Sequence, residues 1–295
     1  MNLASIFKST LTRISPKLNT WVLYLVKFRK VINLKNPRTL DEKIQWLKFH
    51  DYLDNTQVRD CADKYAVRKF VEERGCGEIL NELYGVYDTI DEIPWESLPD
   101  KFVIKWNFGC GQNLICRDKS KLDVEEAKRK LAKWYKTKDT FYLPYAEMQY
   151  RGIEPKLICE KFIEPEKGNL PVDYKFYCFD GNAACVLVCS GRDDSGHGTK
   201  YYFFDKDWKL CRYNKAGKEA PEGFTLPKPA GIDRLFEYAS RLSKGFPFVR
   251  ADFYLEHGQP LFGELTFTPC GGFDVNRLPE TQVRFGDMVK INPEK

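Results

Sequence analysis

The chain has 295 residues, 43% of them hydrophobic and 30% charged, with a formal net charge of +5 and a pI near 8.5. That balance excludes a disordered chain and allows one large domain or two intimate ones. The mild positive charge suits an anionic ligand such as a nucleotide, but no basic repeat or RNA motif accompanies it, so no nucleic-acid partner is expected. Ten cysteines form no CxxC pair and lie mostly among strand-like apolar residues, which reads as reduced, buried thiols in a cytoplasmic protein. Three histidines without an HExxH spacing argue against zinc.

Residues 1–35 form a basic N-terminal segment without the apolar region and small-residue cleavage site of a signal peptide. Its apolar run Trp21-Val-Leu-Tyr-Leu-Val26 is too short to span a bilayer. Lys8, Arg13, Lys17, Lys27, Arg29 and Lys30 flank it. A basic helix packed on the domain and peripheral contact with an anionic membrane are both open readings.

Residues 36–100 read as helical. Thr39-Leu-Asp-Glu42 is a capping box opening a helix with Leu40, Ile44 and Leu47 on one side. A second helix follows with Val58, Cys61, Ala62 and Tyr65 inward, ending near Gly75; Asp63, Lys64, Arg68 and Lys69 form its solvated face. Residues 101–163 make a first sheet layer. Lys101-Phe-Val-Ile-Lys-Trp-Asn107 is a strand with Lys105 near its end. The segment Phe108-Gly-Cys-Gly-Gln-Asn-Leu-Ile-Cys116 then turns on Gly109 and Gly111, whose backbone could approach a phosphate; an ordinary hairpin turn is the alternative. A helix with Val124, Ala127, Leu131 and Trp134 inward precedes the strand Leu157-Ile-Cys-Glu-Lys-Phe-Ile163.

Residues 164–295 form a second layer. Asp173 to Cys189 is a hairpin turning at Asp180-Gly181, and the glycine-rich, charged stretch Ser190 to Thr199 is a loop of substrate-binding character. Ile232, Leu235, Phe236, Ala239 and Leu242 give an amphipathic helix. The last hairpin places Arg250, Asp252 and Tyr254 on one face, with Phe262, Glu264 and Thr266 as one set on the return strand. A three-residue loop, His257-Gly258-Gln259, would set Asp252 opposite Glu264. Facing carboxylates repel unless neutralised, and Mg²⁺, bound by one or two carboxylates plus phosphate oxygens, would do so.

The order of these features resembles the ATP-grasp superfamily. The phrases Asn36-Pro-Arg-Thr-Leu-Asp-Glu-Lys43, Asp63-Lys-Tyr-Ala-Val-Arg68, Phe102-Val-Ile-Lys105, Asp173-Tyr-Lys-Phe176 and Phe262-Gly-Glu-Leu-Thr-Phe-Thr-Pro269 are similar to its TupA-like, teichuronopeptide-biosynthesis branch. The resemblance implies an α+β fold of antiparallel sheets with flanking helices, 101–163 being its small and 164–295 its large subdomain. It also implies ATP and Mg²⁺ as cofactors. Lys64 and Lys105 would contact the phosphates under a flap of Gly109, Gly111, Gln112 and Asn113. Glu160, Lys161 and Ile163 would lie beside adenine, Asp173 would take the ribose, and Lys175 or Lys200 would reach the phosphates. Asp252 and Glu264 would hold the metal; the superfamily often has Asn two residues beyond the Glu, and here Thr266 or a water takes that place. Arg250 and Arg192 would steady the reacting groups.

The activity implied is an ATP-dependent carboxylate-amine ligase in assembly of a bacterial surface polysaccharide, acting on a sugar-linked carboxylate and an amine such as an amino acid. Such chemistry needs no dedicated nucleophile, in keeping with a sequence that shows none. A sugar phosphotransferase, with Asp193 or His197 as base, and a non-catalytic nucleotide-binding scaffold are the alternatives.

Overall fold

In this computed structural model, which describes residues 3–165, 170–191 and 199–292, helices α1 (Leu3–Ile14) and α2 (Pro16–Phe28) precede α3 (Leu40–His50). The expected capping box opens α3: Glu42 N donates to Thr39 Oγ1 at 3.2 Å and Thr39 N to Glu42 Oε2 at 3.1 Å. Leu40, Ile44 and Leu47 are fully buried. The next expected helix is broken into α4 (Thr56–Ala62) and α5 (Val67–Glu73). Asp63 Oδ1 accepts from Tyr65 N at 2.7 Å and Ala66 N at 3.1 Å, a local side-chain bond that competes with the helical ladder. Tyr65, expected inward, is therefore 39% exposed, while Asp63, expected on a solvated face, is buried.

Four antiparallel strands, β1 (Leu83–Tyr87), β2 (Phe102–Trp106), β3 (Asn113–Cys116) and β4 (Leu157–Lys161), form a small sheet in the order β1-β4-β2-β3. Helix α6 (Val124–Tyr135) packs Ala127 and Leu131 against Phe102, Ile104 and Trp106 on one face. β1 comes from the segment that reads as helical, so this layer starts at Leu83 rather than at 101. Helices α3 to α5 instead join the core of the larger sheet.

That sheet has six antiparallel strands: β5 (Asp173–Phe179), β6 (Asn182–Ser190), β7 (Lys200–Phe204), β8 (Leu210–Cys211), β9 (Val249–Glu256) and β10 (Gln259–Thr266), ordered β10-β9-β5-β6-β7-β8. A short helix α7 (Lys215–Glu219) follows β8. Helix α8 (Ile232–Ser243) buries all five of its expected apolar residues, with Phe236 edge-on to Phe176 at 4.8 Å. On the opposite face α9 (Pro279–Met288) brings Phe285 to Tyr177. Two sheets with helices on their faces make the chain α+β.

The last hairpin reaches the expected pairing by a different route. Its turn has two residues, His257 (φ 52°) and Gly258 (φ 75°), so Glu256 pairs with Gln259 and Phe253 with Phe262. That register would put Glu264 opposite Ala251, in the apolar face under α8. A bulge between Phe262 and Glu264 adds one residue, rotates the rest of β10, and pairs Glu264 with Asp252 and Thr266 with Arg250. Phe262 consequently does not share a face with Glu264. The inserted residue is Gly263, where a Cβ would lie 2.9 Å from Asp252 O, so the bulge closes only without a side chain.

All ten cysteines are free; seven are buried, as expected for most of them, whereas Cys110 and Cys270 are exposed.

Candidate active site

The charged residues of three structural parts meet in one place. On the large sheet, Asp173, Lys175, Arg250, Asp252, Glu264 and Thr266 share the face opposite α8, because β5 pairs Lys175 with Asp252 and β10 pairs Glu264 with Asp252. Arg250 binds Asp252 through Nε to Oδ1 at 2.7 Å and Nη2 to Oδ2 at 2.6 Å. Lys175 Nζ reaches Asp252 Oδ2 at 2.7 Å and Asp173 Oδ2 at 2.5 Å. Arg250 also donates to Thr266 Oγ1 at 3.1 Å, and that hydroxyl donates to Glu264 Oε1 at 3.0 Å. Repulsion between the facing acids is thus relieved by cations of the chain itself.

Burial pushes the Asp252 carboxyl up, against the pull of Arg250 and Lys175. Burial would raise Glu264 too, but Lys64, Lys175 and Arg250 outweigh it and hold that carboxyl at about 2. Lys64 is lowered, by burial first and then by Lys105, while Glu264 acts to raise it. These couplings put Lys64 within the electrostatic reach of both sheets.

On the small sheet, Lys105 Nζ binds Glu160 Oε2 at 2.7 Å, and Arg68 from α5 reaches Glu160 Oε1 at 3.5 Å. Register places Val103, Ile115 and Ile158 on the same face as Lys105, so a partly apolar strip adjoins the cations. Lys64 sits where the helix breaks. Its backbone N–H donates to Asn107 O at 3.0 Å and its ammonium to Gly109 O at 2.6 Å, fastening the glycine turn, where Gly109 (φ 82°) and Gly111 (φ 70°) adopt left-handed conformations. Gln112 lies in that turn, and its buried Oε1 has no hydrogen-bond partner among the described residues. Asn113 opens β3 opposite Lys105.

Lys161 lies at the edge of this group: its ammonium binds Glu256 of β9 at 2.9 Å, tying the two sheets together, and its carbonyl accepts from Asn81 at 2.8 Å. Ile163 follows the end of β4, which stops at Lys161. Lys200 is not brought to the cluster. The β5-β6-β7 register sets it with Ser190, Val188 and Tyr174 on the α8 face, opposite to Lys175. Arg192, Asp193 and His197 lie outside the described residues.

Sequence reasoning missed the residues that position the others. Asn107 is fully buried; its Nδ2 donates to Asp63 Oδ2 at 2.7 Å and Glu154 O at 2.9 Å, and its Oδ1 accepts from Lys156 N at 2.8 Å. A polar residue ending an apolar strand was the available signal. Arg68 carried its charge and its place in the phrase Asp63-Lys-Tyr-Ala-Val-Arg68, and Glu256 only its charge. Behind the cluster, Lys48 is buried with its pKa lowered by burial to about 8, and donates to Gln45 Oε1 at 2.9 Å and Tyr145 O at 2.5 Å.

Among the described residues no three His, Cys, Asp or Glu side chains form a metal cage. The carboxylates of Asp252 and Glu264 and the Thr266 hydroxyl beside Glu264 are instead a hard-oxygen donor set suited to Mg²⁺ that arrives with phosphate oxygens. The family model "TupA-like ATPgrasp" matches residues 42–290. The chain belongs to the TupA-like ATP-grasp family.

This ATP-grasp chain is similar in fold to a D-alanine–D-alanine ligase from Bacillus anthracis complexed with ATP, at 14% identity and a TM-score of 0.48 over 79% of this chain and 66% of that one. For an L-amino acid ligase from Bacillus licheniformis the values are 12%, 0.48, 88% and 56%. For the D-cycloserine synthetase DcsG they are 12%, 0.44, 87% and 84%. The chain thus spans 66% and 56% of the length of the first two structures. No curated protein matches the chain.

Proposed function

We propose that this ATP-grasp protein is an ADP-forming ligase that joins a sugar-linked carboxylate to an amine, such as that of an amino acid, during cytoplasmic assembly of a bacterial surface polysaccharide. The observation that carries this reading is the array of Lys64, Lys105, Lys175 and Arg250 interleaved with Asp173, Asp252, Glu264 and Glu160. It stabilises a transferring phosphoryl group by charge and position. Membership of the TupA-like family supports the polymer assignment.

In the free protein Lys105, Lys175 and Arg250 are held by acids and Lys64 by the Gly109 carbonyl. Binding ATP exchanges partners: Lys64, Lys105 and Lys175 move to phosphate oxygens, while Asp252 and Glu264 are left to hold Mg²⁺. Bound there, Mg²⁺ would neutralise charge on the phosphate oxygens. The glycine turn 109–112 covers the phosphates, and the strip Val103, Ile115 and Ile158 receives the base beside Glu160, Lys161 and Ile163. Asp173 takes the ribose. The two sheets act as the small and large subdomains, joined by the Lys161–Glu256 tie. A substrate carboxylate oxygen bonds to the γ-phosphorus as its bond to the β-γ bridging oxygen breaks, releasing ADP. The amine nitrogen then bonds to the acyl carbon, phosphate leaves, and the amine loses a proton. Arg250, with one side on Asp252 and another on Thr266, orients the carboxylate.

The test is to supply ATP, Mg²⁺, uronic-acid sugars and hydroxylamine. Formation of a hydroxamate with ADP supports the ligase. A stable phosphate ester on a hydroxyl, or release of AMP, would overturn it.

A further inference from the structure

Helices α1 and α2 are packed inside out. Toward the body they turn Ser9, Thr12, Asn19 and Thr20, together with Leu23 and Tyr24. The polar contacts are specific: Thr12 Oγ1 donates to Leu143 O at 2.7 Å, and Asn19 Nδ2 to Thr12 Oγ1 at 2.7 Å and Pro144 O at 3.2 Å. Outward they present Leu3, Ile6, Phe7 and Ile14 on α1 and Leu18, Trp21 and Leu25 on α2, spaced so that each set forms one helical stripe. Leu3 is 86% exposed, Ile14 70% and Phe7 61%. Nine of the fifteen exposed large hydrophobics among the described residues fall between Leu3 and Val31. A surface helix ordinarily buries its apolar side, and a contiguous exposed apolar face marks an interaction surface.

Charge selects the partner. Residues 1–40 hold eight of the chain's 47 lysines and arginines and none of its 42 acids, so the remainder of the chain is net acidic. Lys8 and Lys27 lie over the Tyr145 ring at 5.3 Å, whereas Arg13, Arg29, Lys30 and Lys35 are exposed. A second copy docked on this face would set two strongly basic surfaces against each other. An anionic bilayer satisfies both features: acyl chains take Phe7 and Trp21, and lipid phosphates take the cations.

We infer that the α1–α2 pair is a docking surface for the anionic lipid bilayer. The pair rests on Leu143–Tyr145 and, through Lys27, on Phe273, just beyond the turn Pro269–Gly272 that follows β10. Docking therefore brings the lipid surface toward the segment that leaves β10. Nothing in this inference depends on the reaction proposed above, and its test does not read catalysis.

Full-length protein is centrifuged with vesicles of phosphatidylcholine alone or mixed with phosphatidylglycerol. Binding is expected only to the mixed vesicles and is reversed by high salt. The double variant Phe7→Ser/Trp21→Ser should lower partitioning by at least about tenfold, given the apolar area withdrawn from lipid. Its urea midpoint should be unchanged, since Phe7 and Trp21 are exposed. Arg29→Glu/Lys30→Glu should weaken binding to a similar degree, and provides a second reading if the first variant folds poorly. Absence of vesicle binding, equal binding to neutral vesicles, or a parent dimer that the Phe7/Trp21 variant loses would each overturn the inference.

Discussion

The two sides of the candidate active site are held by different means. On the large sheet, Asp173, Lys175, Arg250, Asp252 and Glu264 are fixed by strand register, and their charges interlock in a lattice that is buried at Asp173 and Asp252 and opens to solvent at Glu264. On the small-sheet side, Lys64 stands at a break between two short helices and grips a glycine turn by one ammonium-to-carbonyl bond. The first arrangement cannot move without breaking a sheet. The second can, because a turn with two left-handed glycines and one tether opens at small cost. A site that must admit a nucleotide and then enclose it needs one rigid wall and one movable one. The same difference predicts where stability and activity part company.

The largest effect is expected at Asp252, whose side chain is 3% exposed between two cations. Asp252→Asn should abolish ADP formation and also destabilise the fold by about 3 kcal/mol, because Arg250 and Lys175 are left buried without their shared carboxylate. Removing one of the two facing acids relieves no repulsion, because Arg250 already stands between them. Parallel urea unfolding and ADP-release assays check this; a variant as stable as the parent would show the lattice to be dispensable.

Next comes Lys64→Met. With Lys64 proposed as a phosphate contact, loss of this cation should lower kcat/KM for ATP about 10²-fold. Unfolding in urea should hardly change, since the bond lost is a single contact to a turn carbonyl. Limited proteolysis of the free variant at 109–112 should be faster than in the parent, and ATP should protect the parent more. Equal cleavage in all samples would mean that the turn does not close over nucleotide.

How far the sequence discloses these features follows the range of the forces involved. The capping box at Thr39 and Glu42, the α8 stripe, and the alternation of Arg250 and Asp252 are local patterns, and they are legible. The facing of Asp252 and Glu264 is legible only in outcome: a two-residue turn and a bulge at Gly263 together produce what a three-residue loop would have produced. The break at Asp63 escapes because Val58, Cys61, Ala62 and Tyr65 keep a helical period across it, and the competing side-chain bonds are not a periodic signal. Lys200 looks like a phosphate ligand in the chain order, yet counting strand register from Asp173 through Cys189 to Tyr201 puts its neighbour on the site face and Lys200 itself on the other. Asn107 acts through contacts with Asp63, Glu154 and Lys156 that span more than forty positions, which no local reading reaches.

Asn107 also tests whether the movable wall has a fixed base. Asn107→Ala removes acceptor and donors from a buried site and should cost about 2 kcal/mol in stability. If it positions Lys64, kcat/KM for ATP should fall about tenfold through misplacement of that cation. Added to Lys64→Met, it should cost little further activity while still costing stability. Fully multiplicative losses in the double variant would separate Asn107 from the phosphate-binding role.

The smallest expected effect is on acid stability, and it distinguishes two of the rigid wall's carboxylates, Glu264 and Asp252. Glu264 has its folded pKa held at about 2, against an ordinary value of 4.5, by Lys64, Lys175 and Arg250 acting over the opposing effect of burial. A depressed folded pKa means that the unfolded chain binds its proton first as pH falls, so the stabilisation is complete above about 4.5 and is lost as pH drops toward about 2. The side chain is 41% exposed, so solvent screens part of that gain and the effect is modest. Urea midpoints of the parent and Glu264→Gln should therefore differ most above the ordinary carboxylate pKa and converge on acidification. Asp252 has the opposite direction, its folded carboxyl being raised by burial, so its titration cannot produce this convergence. If the two midpoints stayed apart by the same amount down to the lowest pH at which the protein folds, Glu264 would not be ionised within a cationic field, and its electrostatic coupling to Lys64, Lys175 and Arg250 would have to be abandoned.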